Sequence, residues 1–185
     1  MSDSHNQTLL ILDIDETLIY AVDAALDHKH SFKAGPYFVY ERPHLDQFID
    51  TVASAFRLAV WSSSTSDYVA TVVDHIFPRH VDLQFQWGRD RCVQRYHPEW
   101  QTSYWVKDLK KVKRRGFSLD RVLMVDDTPQ KLERNYGNAI YIRSFEGDRT
   151  DNELQRLAPY LLSLADCPDV RAVEKRGWRS HSHLS

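Results

Sequence analysis

Leu9-Leu10-Ile11-Leu12-Asp13-Ile14-Asp15-Glu16-Thr17 decides the reading of this chain: a short apolar run breaks directly into acids. Two later stretches repeat the pattern. Leu58-Ala59-Val60-Trp61 runs into Ser62-Ser63-Ser64, and Val122-Leu123-Met124-Val125 runs into Asp126-Asp127-Thr128. Apolar runs of this length, bounded by polar turn residues, predict buried parallel strands. Open α/β sheets bind ligands beyond the carboxyl ends of their strands. The acids, the hydroxyls and Lys107 are therefore expected to meet at one edge of one sheet.

The remaining segments support that frame. Tyr37-Phe38-Val39-Tyr40 predicts a short strand after a polar loop, and Arg42-Pro43-His44 opens a helix with Leu45, Phe48, Ile49, Val52 and Phe56 at helical spacing. Thr65 or Ser66 can cap a second helix that carries Val69, Val72, Val73 and Ile76 on its apolar face. Short extended pieces are expected around Gly88, and a basic helix from Lys107 to Arg115, stopped by Gly116. Pro129 starts a further helix, Ala139-Ile140-Tyr141-Ile142 is a strand, and Asp151 to Leu164 is a closing amphipathic helix. The predicted organisation is one domain over residues 8–174, a flexible terminus over 1–7 and a mobile tail over 175–185.

Composition narrows the class. The chain has 185 residues, 42% hydrophobic and 27% charged, with a formal charge of −2. Those proportions suit a globular domain with a sizeable core, with no pull toward nucleic acid or anionic membrane. No apolar stretch is long enough to span a bilayer, and the polar amino terminus lacks the centre of a signal peptide. Cys92 and Cys167 stand alone, in no metal-binding or redox pair, so a reducing, cytoplasmic setting is expected.

Residues two apart in an extended segment point the same way, so Asp13 and Asp15 can face one substrate. One carboxylate can attack phosphorus to form an aspartyl-phosphate, and the other can protonate the departing oxygen and then deprotonate water. Adjacent acids at a strand end, Asp126-Asp127, are costly unless they meet a cation, and an oxygen-rich site suits Mg²⁺. Asp-Asp-Thr-Pro is also good turn chemistry, and the two readings are compatible. Ser62 offers a hydroxyl and Lys107 a positive charge for phosphate. Taken singly, each has a plainer role: helix caps for Asp13, Asp15, Thr17 or Ser62, and a solvated surface side chain for Lys107. The ordered set of four is what points to phosphoryl transfer.

That set resembles the haloacid dehalogenase superfamily. More narrowly, the chain is similar to the small phosphatases of the RNA polymerase II carboxy-terminal-domain type, the NLI-interacting-factor-like or FCP1-homology phosphatases. Tyr40-Glu41-Arg42-Pro43-His44-Leu45, Tyr104-Trp105-Val106-Lys107-Asp108-Leu109, Asp126-Asp127-Thr128-Pro129 and Thr150-Asp151-Asn152-Glu153-Leu154 carry the likeness, in order, from about Thr8 to about Val173. The resemblance implies a three-layer, Rossmann-like α/β/α fold with a central parallel sheet. It implies Asp13 as nucleophile and Asp15 as general acid and base. Mg²⁺ would be held by the Asp13 side chain, the Asp15 main-chain carbonyl and the Asp127 side chain. Ser62, with Ser63 beside it, and Lys107 would bind phosphate. Asp126 would orient Lys107, while Thr17 and Thr128 would brace the acidic segments. Many relatives have threonine in place of Ser62, and the hydroxyl survives the change.

The motif spacing leaves no room for a large cap, only for a small hairpin insertion around Trp87 to Trp100. An open site favours a phosphoprotein or phosphopeptide substrate over a small metabolite, although the motifs serve both. A phosphoprotein-binding or receiver-like domain is the non-catalytic alternative. Receiver domains place their acid pair first and their lysine last, whereas here the acid pair comes last. Two further stretches have plain explanations. The run Lys110-Lys111-Val112-Lys113-Arg114-Arg115 reads as a solvated helix face rather than a nucleic-acid patch. His28-Lys29-His30 and His181-Ser182-His183 read as solvated loops.

Overall fold

The computed structural model describes residues 7–99 and 101–180. Residues 1–6, Trp100 and residues 181–185, which include most of the expected flexible terminus and the second histidine pair, lie outside the described residues. In chain order the strands and helices are β1 (Leu9–Leu12), β2 (Ile19–Val22), β3 (Phe32–Ala34), β4 (Tyr37–Glu41), α1 (Leu45–Ala53), β5 (Arg57–Trp61), α2 (Ser66–Ile76), β6 (Leu83–Trp87), β7 (Val93–His97), β8 (Thr102–Val106), α3 (Lys110–Lys113), β9 (Val122–Asp126), β10 (Ala139–Tyr141) and α4 (Glu153–Leu164).

The central sheet has five strands in the order β10-β9-β1-β5-β6, and every pairing is parallel. The order in which strands are added reverses at β1. The path runs through β5 and β6 on one side, then returns to β9 and β10 on the other. Such a reversal opens a crevice at the strand ends, here between β1 and β9.

The period-two alternation of strand side chains splits the core in two. Leu10, Leu12, Leu58, Val60, Leu123 and Val125 face one layer with Phe48, Ile49 and Val52 of α1, Val69 and Val72 of α2, and Leu157 and Leu161 of α4. Leu9, Ile11, Ala59, Trp61, Val122 and Met124 face the other, under Leu109, Val112 and Leu132. Both faces of the sheet are covered, and this is why its strands read as continuous apolar runs rather than as alternating ones.

Three expectations change. First, the segment after the acidic motif is not all loop: β2, β4 and β3 form a three-stranded antiparallel sheet, joined at β3–β4 by Gly35-Pro36 with Gly35 at φ 58°. A positive φ at the first position of a two-residue hairpin turn suits glycine. β2 has no clear local signal because it pairs with β4 across residues 23–31 and is half-buried on most of its length.

Second, the helix expected from Lys107 covers only Lys110–Lys113. Lys107 directly follows β8, outside any helix, and Asp108 Oδ1 accepts from Lys110 N at 3.0 Å, which starts the helix later. Third, residues 175–180, expected in the tail, pack on the domain. Trp178 is 2% exposed, and its Nε1 donates to the Tyr141 carbonyl at 2.9 Å, so its large apolar surface and its one donor are both satisfied. The insertion is a hairpin, β7 against β8 from Val93↔Val106 to His97↔Thr102.

Candidate active site

β1 and β9 end side by side, and the Asp13 amide donates to the Val125 carbonyl at 3.0 Å. That register brings Asp13 and Asp126 together at the crevice, both buried. Lys107 arrives from β8, and its amide donates to the Lys131 carbonyl at 2.8 Å. Its side chain has no exposed surface, and Nζ lies 2.7 Å from Asp13 Oδ1 and 2.6 Å from Asp126 Oδ2. The surface-lysine reading of Lys107 is thereby excluded. A fully buried ammonium needs this pairing, since burial without a partner would be far more costly than the pair.

Lys131, a residue not singled out from the sequence, supplies a second cation. It lies in the short 3-10 turn Pro129–Leu132 that follows β9, where the sequence predicts a helix starting at Pro129. Nζ lies 2.9 Å from Asp13 Oδ2, 3.4 Å from Asp127 Oδ1 and 3.6 Å from Asp126 Oδ1. Its i,i+4 spacing from Asp127 was the one available sequence signal.

Burial alone would raise the Asp13 pKa, but Lys107 and Lys131 outweigh it and hold the carboxyl down at about 2. Asp126 is pushed up, first by burial and then by the charge of Asp13. Burial pulls the Lys131 ammonium down, and the carboxylates of Asp13, Asp126 and Asp127 more than offset it, so its pKa lies above the ordinary lysine value.

Asp15 faces different company. Tyr68 Oη donates to Oδ1 at 2.7 Å, and Ser64 Oγ and Ser62 Oγ donate to Oδ2 at 2.8 and 3.2 Å. Burial and the Asp15 charge push the Tyr68 phenol well above its ordinary value, which keeps it a donor. Ser62 Oγ also accepts from the Ser64 amide at 3.0 Å. Ser63 lies in the same loop, and its carbonyl accepts from Arg89 Nε at 2.7 Å. Thr65, not Ser62, precedes α2. The sequence by itself assigns no individual role to Tyr68 or Ser64. Tyr68 sits in the first turn of α2, half-buried at the edge of the core that holds Val69 and Val72.

Thr128 and Thr17, expected to brace the acidic segments, are close by. Thr128 donates twice, from its amide to Asp126 Oδ1 and from its hydroxyl to Asp127 Oδ1, both at 2.9 Å. Thr17 is fully buried and works through its main chain: its carbonyl accepts from Arg42 Nη1 at 3.0 Å. Arg42 itself grips both Asp151 oxygens at 2.8 Å and donates to the Arg143 carbonyl at 2.9 Å.

Asp13, Asp126 and Asp127 each offer an oxygen, all within 4.8 Å of one another, and they form the one group of three metal-capable side chains among the described residues. This donor set is hard oxygen throughout and fits a small divalent cation. The Asp15 side chain lies outside it, so Asp15 could contribute there only through its main chain. A cleft of about 190 Å³ adjoins Asp15, lined by Tyr37, Ser64, Tyr68 and Arg89. A larger cavity, about 690 Å³, lies at the opposite end of the sheet near Arg57 and His80, away from every one of these groups.

Solved structures share this frame. Fission yeast Fcp1, an RNA polymerase II CTD phosphatase bound to beryllium fluoride in its R271A form, superposes with a TM-score of 0.59 at 16% identity, over 86% of this chain and 46% of that one. A second Fcp1 structure gives 0.60 at 17% identity. The fold is the haloacid dehalogenase fold of these Fcp1 structures. Within that class the family model of the NLI interacting factor-like phosphatases matches residues 8–171, and the chain belongs to this family of phosphoric monoester hydrolases.

Curated relatives agree. The Drosophila melanogaster CTD nuclear envelope phosphatase 1 homolog is 30% identical over 188 residues, covering 93% of this chain and 73% of that protein. Saccharomyces cerevisiae nuclear envelope morphology protein 1 is 29% identical over 187 residues, and the match spans 89% of this chain but 40% of that protein. Among the described residues no helix is long and apolar enough to cross a membrane.

Proposed function

We propose that this chain is a Mg²⁺-dependent phosphatase that removes phosphate from phosphoserine or phosphothreonine in proteins through an aspartyl-phosphate on Asp13. The observation that carries the reading is the contrast between two aspartates two residues apart. Asp13 lies between Lys107 and Lys131, while hydroxyls hold Asp15. A carboxylate kept ionised by cations suits a nucleophile, and a carboxyl held by hydroxyls beside a cleft suits proton transfer.

Asp13 Oδ attacks phosphorus, and the bond from phosphorus to the substrate oxygen breaks. Asp15 gives its proton to that departing oxygen. Water then attacks the phosphorus of the aspartyl-phosphate, Asp15 takes its proton, and the bond to Asp13 breaks to release inorganic phosphate. Lys107 balances charge on the phosphoryl oxygens, and Asp126 holds the ammonium in place. Ser62 and the amides of its loop bind the phosphate from the β5 side. Asp13, Asp127 and the Asp15 carbonyl would hold the divalent ion. When bound, it offsets repulsion between the Asp13 carboxylate and the incoming phosphate.

The names of the relatives and the cleft beside Asp15 support a protein substrate. We place the chain in a reducing compartment such as the cytoplasm, because Cys92 and Cys167 are both free. The nuclear envelope in the relatives' names belongs to those proteins.

The test is phosphate release with Mg²⁺ from phosphoserine and phosphothreonine peptides, set beside p-nitrophenyl phosphate and small phosphomonoesters. Turnover that is lost in Asp13→Asn, with kcat/KM favouring peptides, is expected. No release from any of these refutes the phosphatase, and a clear preference for metabolites refutes the protein substrate.

A further inference from the structure

The position of Lys131 has a consequence for metal binding. Its ammonium bridges Asp13 Oδ2 at 2.9 Å and Asp127 Oδ1 at 3.4 Å, two side chains assigned above to the divalent ion. A Mg²⁺ ion holds oxygens at about 2.0–2.1 Å and demands near-octahedral geometry. An ion drawing on those carboxylates leaves no room for an ammonium between them, and the two positive charges repel at contact distance. We propose that Lys131 is a tethered counter-cation that occupies the divalent-ion position in the metal-free protein and must withdraw before the ion enters. The inference rests on the metal-site reading above.

Three features make the exchange feasible. The main chain of Lys131 is pinned, since its carbonyl accepts from the Lys107 amide at 2.8 Å and its amide donates to the Thr128 carbonyl at 3.1 Å. Movement is therefore confined to the flexible side chain. That side chain is 17% exposed, whereas Lys107 is sealed, so Lys131 alone of the two has a route to solvent. Lys107 meanwhile keeps Asp126 and one oxygen of Asp13 paired. Without Lys131, three acids converge on a single ammonium, and the metal-free protein bears their repulsion. With it, the acids stay close together and ready, and the ion must displace a hydrogen-bonded charge in order to bind.

The experiment is isothermal titration of metal-free protein with MgCl₂, alongside thermal unfolding with and without the ion, for the wild type, Lys131→Met and Lys131→Gln. Both variants are expected to bind Mg²⁺ about tenfold more tightly or better, the scale of one charge-assisted hydrogen bond the ion no longer breaks. Their metal-free Tm is expected to fall, and the gap to wild type to narrow in saturating Mg²⁺. Wild type that binds Mg²⁺ while both variants bind it no more tightly overturns the inference and leaves the metal site standing. Wild type that binds no Mg²⁺ overturns the metal-site reading and this inference together. Should neither variant fold, a wild-type crystal grown with Mg²⁺ decides. Lys131 Nζ clear of Asp13 and Asp127 is the expected result, and Nζ still bridging them beside a bound ion overturns it.

Discussion

Tyr68 Oη donates to Asp15 Oδ1 at 2.7 Å, which ties the first turn of α2 to the acidic loop after β1. The contact joins two segments that the sequence separates by 53 residues, and it orients one carboxylate oxygen while Ser64 orients the other. Tyr68→Phe removes this donor and little volume. A hydrogen bond to a charged group contributes about 1.5–3 kcal/mol, so kcat is expected to fall by about tenfold to a hundredfold. The check is steady-state kinetics on p-nitrophenyl phosphate, with circular dichroism to confirm an unchanged fold. Full wild-type kcat would show that Ser62 and Ser64 orient Asp15 without the phenol.

Gly88 is the point where β6 ends against the Ser64–Ser66 loop. A Cβ there would stand 2.7 Å from Ser66 Oγ and 2.9 Å from both the Ser64 carbonyl and the Ser66 amide. Two of those three atoms are main chain, so the loop itself must move. Overpacking of this kind costs about 1–3 kcal/mol, and each kcal/mol lowers Tm by about 2–4 °C in a domain of this size. Gly88→Ala is expected to lower Tm accordingly and to reduce kcat, because Ser64 no longer reaches Asp15. Differential scanning calorimetry and turnover measured together test both effects.

Arg42 holds the acidic loop from behind through the Thr17 carbonyl, and its guanidinium is buried against Asp151. Removing one partner of a buried pair costs about 3–5 kcal/mol, because the other charge is left uncompensated. Arg42→Met is expected to show a loss of that order in urea unfolding. Arg42→Lys is expected to recover only part of it, since a single ammonium cannot reproduce the planar fork that reaches Asp151, Thr17 and Arg143 together.

The same pair gives a pH dependence. Burial would raise the Asp151 pKa, but its bonds from Arg42 and the Glu153 amide outweigh that and hold it below the ordinary value of 3.8. A carboxylate depressed in the fold stabilises it above the unfolded pKa and loses that contribution as pH falls through the folded one. Wild type is therefore expected to exceed Asp151→Asn in stability at neutral pH, with the difference shrinking below pH 3.8. Urea unfolding at stepped pH measures it, and a difference that grows on acidification would contradict the assignment.

Sequence alone determined the parallel sheet, because strands buried on both faces must be apolar throughout, and β1, β5 and β9 each show it as an unbroken run. It also located Asp13, Ser62 and Asp126-Asp127, since polar residues directly after such runs fall at strand ends. The tertiary structure decided what had no local period. β2 became a strand only by pairing with β4, and Lys107 became a buried cation only because β8 delivers it between β1 and β9. The hydroxyls on Asp15 and the Lys131 bridge are distant in sequence or hidden in a turn. Side-chain charge and hydrogen bonding act through space over a few ångströms, whereas sequence pattern reports only the spacing that repeats along one element.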